Sequence, residues 1–316
     1  MWVNKGEIFQ VRNYQELFPE LTYAQSPQAI QLDGFVRIFF TTRVKRDLET
    51  KWVSVPMFVD FDETLTRALR PPQFVDIEEA KLGAFDEHGI FPFSPTKVGD
   101  EVWAYTTGWS RRTSVSVETG IGLMKSKDSG LSFQRVGIGP VLSSSLFEPF
   151  LVCDGYVRQL GEEWYMWYLY GTDWKTESSS SDVERTYKIG LATSIDGVNW
   201  KPSNATQLIP DVLGDNESQA LPTVISSNDG FEMYFCYRES FDFRSNPARG
   251  YRLGYAYSSN ANEWSRHDEE LNFERQDWDS DMRCYPSAIE INGAKFLLYN
   301  GNRFGESGFG VAQWVP

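Results

Sequence analysis

The segment IGLATSIDGVNW, beginning at Ile189, occurs in variant form twice more: IGLMKSKDSGLSF from Ile121 and LGYAYSSNANEW from Leu253. A shortened copy, FGVAQW from Phe309, closes the sequence. Such a repeat constrains the fold more than composition does, because each copy must bury its apolar positions against its neighbours. The register inside the repeat is strict. Eleven residues beyond Pro27 stands Ile38 of RIFFTTR, and the same step leads from Pro92 to Trp103, from Pro222 to Met233 and from Pro286 to Leu297. With Gly155 in the proline's place it leads to Met166. Five units result, each a strand, a turn of the type DG, GD, GEE, NDG or NG, and an aromatic strand. A third segment follows, which in units two to four is the IGLATS element. An Asp/Gly/Asn turn and a Trp or Phe then open a fourth strand.

Four antiparallel strands repeating at intervals of about 40 to 70 residues describe the blades of a β-propeller. The sequence therefore predicts an all-β chain with one propeller domain over residues 1–316, its five blades at approximately 22–80, 85–142, 147–212, 217–275 and 282–316. The fifth copy ends at VAQWVP, which leaves no room for a fourth strand. Residues 6–11, GEIFQV, are the available donor, and closure by them would hide two sheet edges. The connections between second and third strands vary instead: VKRDLETK, SRRTSVSVET, TDWKTESSSSDVERTY and ESFDFRSNPARGY. Invariant hairpins with variable loops at one end describe a rigid scaffold that carries specificity on one rim.

Charge and composition exclude several partners. With a net charge of −14 the chain lacks the clustered Lys and Arg that a nucleic acid surface requires. No run approaches 18 apolar residues, so no membrane span is expected, and the N-terminus shows no apolar secretory segment, which points to the cytoplasm. His88 and His267 lack ligand spacing, and Cys153, Cys236 and Cys284 form no CxxC, so neither a metal nor any other cofactor is expected. A channel-bound calcium is likewise not predicted.

In a propeller the first strand of each blade lines the channel, and its start meets the end of the second strand on one face. Two positions per blade are therefore informative: just before the proline register and about sixteen residues after it. Glu87, Glu217 and Asp281 each stand five residues before their blade's proline, with Asp86 and His88 beside Glu87. Blade three offers Glu148 and, directly before Gly155, Asp154; blade five adds Arg283 and Tyr285. After the register stand Arg43, Gly108 next to Trp109, Gly171 near Asp173 and Trp174, Arg238 and Asn302. Acids, arginines and tryptophans around one mouth suit a carbohydrate, because ring faces stack on sugar C–H faces while charged groups fork onto hydroxyls.

With these hairpins, the IGLATSIDGVNW element and YPSAIEINGAKFLLYNGNRFG, the whole chain resembles the five-bladed propeller superfamily of glycoside hydrolases. That superfamily includes arabinanases, β-xylosidases, invertases and levansucrases, of the family 43 and 32 type. The resemblance implies a glycosidase-type hydrolase. In the arabinanase branch an Asp directly before the first blade's proline is the general base, a carboxylate in blade two tunes the pKa values, and a Glu in blade three is the acid. This chain has Ser26 at the first position, no acid beside Pro92 and no invertase-like NDP, whereas Glu148 in EPF resembles the acid.

Glycoside cleavage needs one protonated carboxyl and a second as base or nucleophile. Glu148 or Asp154 is the expected acid and Glu87 or Glu217 the expected base or modulator. Arg43, Arg238 and Arg283 are expected to hold the substrate, an acidic sugar or sugar phosphate, with at least two of them keeping free donors toward the cavity. Asp86, His88, Trp109, Trp174, Tyr285 and Asn302 complete the expected binding set. A non-catalytic sugar-binding propeller is the first alternative, favoured by Ser26. A sialidase-like enzyme is the second, because SKDSGLSF at Ser126 resembles an Asp-box turn; but that turn lies between outer strands, away from the channel, and reads first as structural, and sialidases have six blades where this sequence has five.

Overall fold

In the computed structural model, which describes residues 1–45, 52–176 and 183–316, the repeats form five antiparallel sheets arranged as a five-bladed propeller. Ser178–Ser181 and most of the blade-one insertion lie outside the described residues. Blade one runs Gln25–Leu32, Phe35–Lys45, Trp52–Phe61 and Gln73–Phe74. Blade two has Ile90–Val98, Glu101–Arg111, Val117–Ser126 and Ser132–Arg135, with Asp76–Ile77 added in parallel to the last strand. Blade three is Val152–Leu160, Glu163–Thr176, Val183–Ser194 and Lys201–Pro202. Blade four is Glu217–Ser227, Gly230–Glu239, Arg252–Ser258 and Ser265–Arg266. Blade five is Cys284–Ile291, Ala294–Asn300 and Gly308–Trp314, completed by Trp2–Gln10 from the other end of the chain.

That closing strand starts four residues earlier than the sequence suggests. Trp2 is buried against Tyr234 and Trp314, with ring centroids 5.6 and 5.8 Å apart, which fixes the strand's beginning. Val11 instead opens a short 3-10 turn. The core is divided among the blade interfaces: each adjacent pair of blades shares one cluster of buried apolar side chains. Val, Ile, Leu and aromatic residues alternate on the strands, so both faces of every blade find a neighbour.

The proline register has a structural cause. Each innermost strand carries a β-bulge there, between Gln25 and Gln28, Ile90 and Phe93, Cys153 and Tyr156, Ala220 and Thr223, and Cys284 and Ser287. The residue before the proline or glycine is left-handed in four blades: Ser26, Asp154, Leu221 and Tyr285 have φ of 54°, 55°, 48° and 56°. In blade two the Phe91–Pro92 bond is cis. A left-handed non-glycine residue costs on the order of 1 kcal/mol. Side chains of the preceding blade hold the bulges in place. Asn300 Oδ1 accepts from Ser26 N at 2.7 Å, Thr107 Oγ1 from Asp154 N at 2.7 Å and Cys236 Sγ from Tyr285 N at 3.4 Å. The Asp154 carboxylate does the same for the Leu221 N–H.

The repeated dozen has a local role. Ser126 and Asp128, Ser194 and Asp196, and Ser258 and Asn260 form equivalent side-chain bonds, and the acid or amide accepts the following backbone N–H groups. These turns join third to fourth strands, at the opposite end from the variable loops, so SKDSGLSF is a structural turn. No helix among the described residues is long and apolar enough to cross a membrane, and no group of three or more His, Cys, Asp or Glu is placed to hold a metal.

Candidate functional site

The bulges aim five side chains at the start of the innermost strands, which contact one another around the axis. They are Ser26, Phe91, Asp154, Leu221 and Tyr285, so one carboxylate stands in this ring. The rings of Phe91 and Tyr285 meet edge to face, with centroids 5.2 Å apart. Behind Tyr285, Tyr251 and Phe304 extend the aromatic wall at 5.7 and 6.4 Å. The Tyr187 and Tyr251 hydroxyls share a 2.7 Å hydrogen bond.

Burial pushes the Asp154 carboxyl up to about 7, against the Leu221 N–H, the Arg185 charge and the Cys153 thiol, which all favour the anion. Desolvation disfavours a carboxylate with no cation in direct contact. Asp154 is therefore far easier to keep protonated near neutral pH than an ordinary carboxylate, the condition that a general acid needs. Arg185, on the third strand of blade three, is outside the set expected from the sequence. The proline register marks first- and second-strand ends, while third strands begin on the same face without such a mark. Tyr187, Tyr251 and Arg111 escaped for the same reason or by lying within the insertions.

Several expected residues do gather at the rim of blade two. Glu87 Oε1 lies 3.5 Å from His88 Nδ1, and its Oε2 accepts from Gly83 N at 2.8 Å. The His88 ring stacks on Trp109 at 5.6 Å, and the Arg111 guanidinium covers Trp109 at 5.2 Å. At blade three, Trp174 lies beneath Arg185 at 5.9 Å. At blade one, Arg43 lies over Tyr23 at 5.0 Å and donates from Nε to Gln25 Oε1 at 2.9 Å.

Other expected residues are held by the protein itself. Glu217 is buried and accepts from Val212 N, Leu213 N, Gln219 Nε2 and Arg266 Nη1 at 2.6–3.0 Å. Burial alone would raise its pKa, but these donors hold it below its ordinary value. Glu148 Oε1 accepts from Tyr168 Oη at 2.6 Å and Ala205 N at 2.9 Å; its buried Oε2 has no partner among the described residues. Asp86 is ion-paired with Arg135. Asn302 caps the preceding loop, accepting from Asp281 N and Met282 N.

The arginine expectation changes most. All three nitrogens of Arg283 are bound by the segment that leads into blade five, to Asp279, Phe273 O and Glu274 O, so none is left for a ligand. Arg238 is buried over Phe243 at 3.5 Å, with donors to Glu239 O, Ser240 O and Tyr187 Oη, and among the described residues only its Nε lacks a partner. Of the three, Arg43 alone is exposed.

The fold and this aromatic mouth define a five-bladed propeller of the architecture used by glycoside hydrolases. Solved structures with the same fold include a BT0996 RGII complex (TM-score 0.73, 14% identity, covering 99% of this protein and 92% of that one). A structure of the GH130 family of mannoside phosphorylases and glycoside hydrolases matches at TM-score 0.69 and 14% identity, over 93% and 85% of the two chains. A thermostable family-43 glycoside hydrolase matches at 0.64 and 15%, over 92% and 87%. No protein-family model matches the chain. The chain belongs to the family of the uncharacterized protein MT1551 of Mycobacterium tuberculosis, with 32% identity over 317 residues and 98% of each chain covered. The protein Rv1502 of a second M. tuberculosis strain matches equally, at 32% and 98%.

Proposed function

We propose that the protein is carbohydrate-active and that Asp154 is the acid that protonates a glycosidic oxygen at the channel mouth. The observation that supports this reading is that Asp154 is the one carboxyl in the ring of bulge residues that also holds Phe91 and Tyr285, and that burial raises its pKa to about 7. Aromatic faces suit sugar rings, and a carboxyl that keeps its proton suits a leaving oxygen. Glu148 and Glu217 are engaged by protein donors, so among the proposed partners Glu87 is the base candidate that retains solvent exposure. The sugar would be acidic or phosphorylated, since Arg43 and Arg185 face this end.

A second reading, a sugar-binding propeller without turnover, is favoured by Ser26 at the blade-one position and by the Leu221 N–H that Asp154 already binds. One experiment separates the two. Wild type and Asp154→Asn are assayed on aryl glycosides and oligosaccharides, and the same sugars are titrated calorimetrically. Turnover in wild type that the Asp154→Asn substitution abolishes, with a pH limb near 7, supports the enzyme. Binding without turnover selects the binding propeller, and absence of both would remove the carbohydrate reading.

A further inference from the structure

Four aromatic side chains on the rim each carry a cation on the ring face. Arg43 lies over Tyr23 at 5.0 Å, Lys45 over Trp52 at 4.9 Å, Arg111 over Trp109 at 5.2 Å and Arg185 over Trp174 at 5.9 Å. All four pairs stand where second strands end, third strands begin or first strands are about to begin, and so on one end of the propeller. Among the described residues none of these cations is in an ion pair, although acids outnumber cations in the chain by 44 to 30. Other cations do close ion pairs, as with Arg37 and Asp60, Lys188 and Asp211, Arg266 and Glu217, or Lys295 and Glu232, while Lys125 on Trp103 and Arg252 over Tyr237 lack one among the described residues. Even on the same rim, Arg112 pairs with Glu118 at 3.5 Å. Burial lowers the Arg111 pKa, and Glu87 opposes that shift by its charge without closing a bridge.

The pairs are connected. Arg111 donates to the Trp52 carbonyl, joining blade two to blade one, and Arg185 Nη1 donates to Ser116 Oγ at 3.1 Å, joining blade three to blade two. The arc ends at Asp154, where the Arg185 charge is felt. At its other end Tyr23 and Trp52 border a cleft of about 550 Å³ between blades five and one, shared with Arg12, Glu7 and Glu306. That volume falls within the range of small-ligand pockets.

We propose that this arc binds an anionic oligosaccharide, a chain bearing carboxylate or phosphate groups that runs from the channel mouth toward the blade five–one cleft. A guanidinium laid on an aromatic face keeps outward N–H donors in a fork that matches carboxylate and phosphate oxygens. The ring edges that remain accessible offer sugars apolar contact, and a single-stranded nucleic acid, the other polyanion that aromatic–cation surfaces hold, is the rival occupant. The proposal rests on the carbohydrate reading of the mouth and extends it from one sugar to a charged chain.

The test uses the full chain with calorimetric titration of galacturonate monomer and tetramer, neutral galactose tetramer, mannose 6-phosphate and an oligo-dT of about eight nucleotides. The anionic probes should bind at least about ten-fold more tightly than the neutral tetramer, with affinity rising from uronate monomer to tetramer and falling with added salt. Whether uronate or phosphate binds better identifies the charged group. The double variant Lys45→Gln/Arg111→Gln should weaken tetramer binding about ten-fold and leave monomer binding nearly unchanged. Lys127→Gln, in a turn at the opposite end, should change neither, and circular dichroism would verify the fold of all variants. Equal binding of neutral and acidic tetramers, or no binding of any anionic sugar while neutral sugars bind, overturns the anionic chain but leaves the carbohydrate reading. Oligo-dT binding as tight as the uronate tetramer overturns the glycan assignment of the arc. Failure of every sugar overturns both.

Discussion

The backbone N–H of Leu221 donates to the carboxyl of Asp154 across the blade three–four boundary. Asp154 thus does in its blade what Asn300, Thr107 and Cys236 do in theirs, and it is the ionisable carboxyl among them. Because burial raises its pKa from 3.8 to about 7, the folded protein binds more protons than the unfolded chain between those limits. This contribution to stability is full below the ordinary carboxylate range and is lost as pH rises through about 7. The span corresponds to roughly 3–5 kcal/mol. Asp154→Asn should flatten the dependence of urea unfolding on pH over that interval and stabilise the protein at about pH 8. Identical pH profiles for the two proteins would show that Asp154 does not titrate there.

Glu217 should behave in the opposite sense. Its pKa is held below the usual 4.5, so its contribution is present above that value and disappears as pH falls. Glu217→Gln should cost roughly 2–4 kcal/mol, because Arg266 and two backbone N–H groups lose a charged acceptor, while Arg266 keeps Asp268 at 2.8 Å. Sugar affinity, measured well below the unfolding temperature, should not change. A loss of affinity with intact stability would return Glu217 to the binding site.

Arg238 and Arg185 make a contrasting pair. Arg238 lies 3.5 Å over Phe243, fully enclosed, and Lys cannot reproduce its fork to two carbonyls and the Tyr187 hydroxyl. Arg238→Lys is expected to lower stability by roughly 2–3 kcal/mol without altering the salt dependence of ligand binding. Arg185→Gln should do the reverse, weakening an anionic ligand several-fold at nearly constant stability. Thermal unfolding and titration on both variants decide the matter.

Removal of residues 1–10 should open blade five. It uncovers the Gly308–Trp314 edge and takes buried Trp2 and Phe9 from two interfaces. The expected result is loss of cooperative unfolding or self-association by sedimentation. A monomer of near-native stability would mean that the ladder contributes little.

The scaffold was legible because its signals are local. A proline eleven residues before an aromatic position, a Ser-x-Asp turn and alternating apolar residues each act within one hairpin, and the bulge that ties them together forces the register. The site was legible only in part. Asp154 and Tyr285 could be placed at the start of the channel strands because they sit at the bulge itself, and Glu87, His88 and Trp109 near one another because neighbouring strand ends converge. Glu217 and Arg283 look the same in one dimension. Their roles depend on Arg266 and Asp279, and only packing shows that those partners reach them. Arg185 follows the Ser-rich insertion, and no hairpin signal pairs it with Trp174.

Blade five also imposes an order on events. Blades one to four can each form from a contiguous stretch, but Trp2–Gln10 has no sheet partner until residues 308–314 have been made. Synthesised before every other blade strand, it is the last to be zipped in, and its ladder joins the propeller strands farthest apart in sequence, the slowest kind of contact to form. Once it is fastened, a single clasp ties early residues to late ones. The lifetime of the folded ring then depends on how rarely that clasp comes undone, and less on the summed strength of its blades.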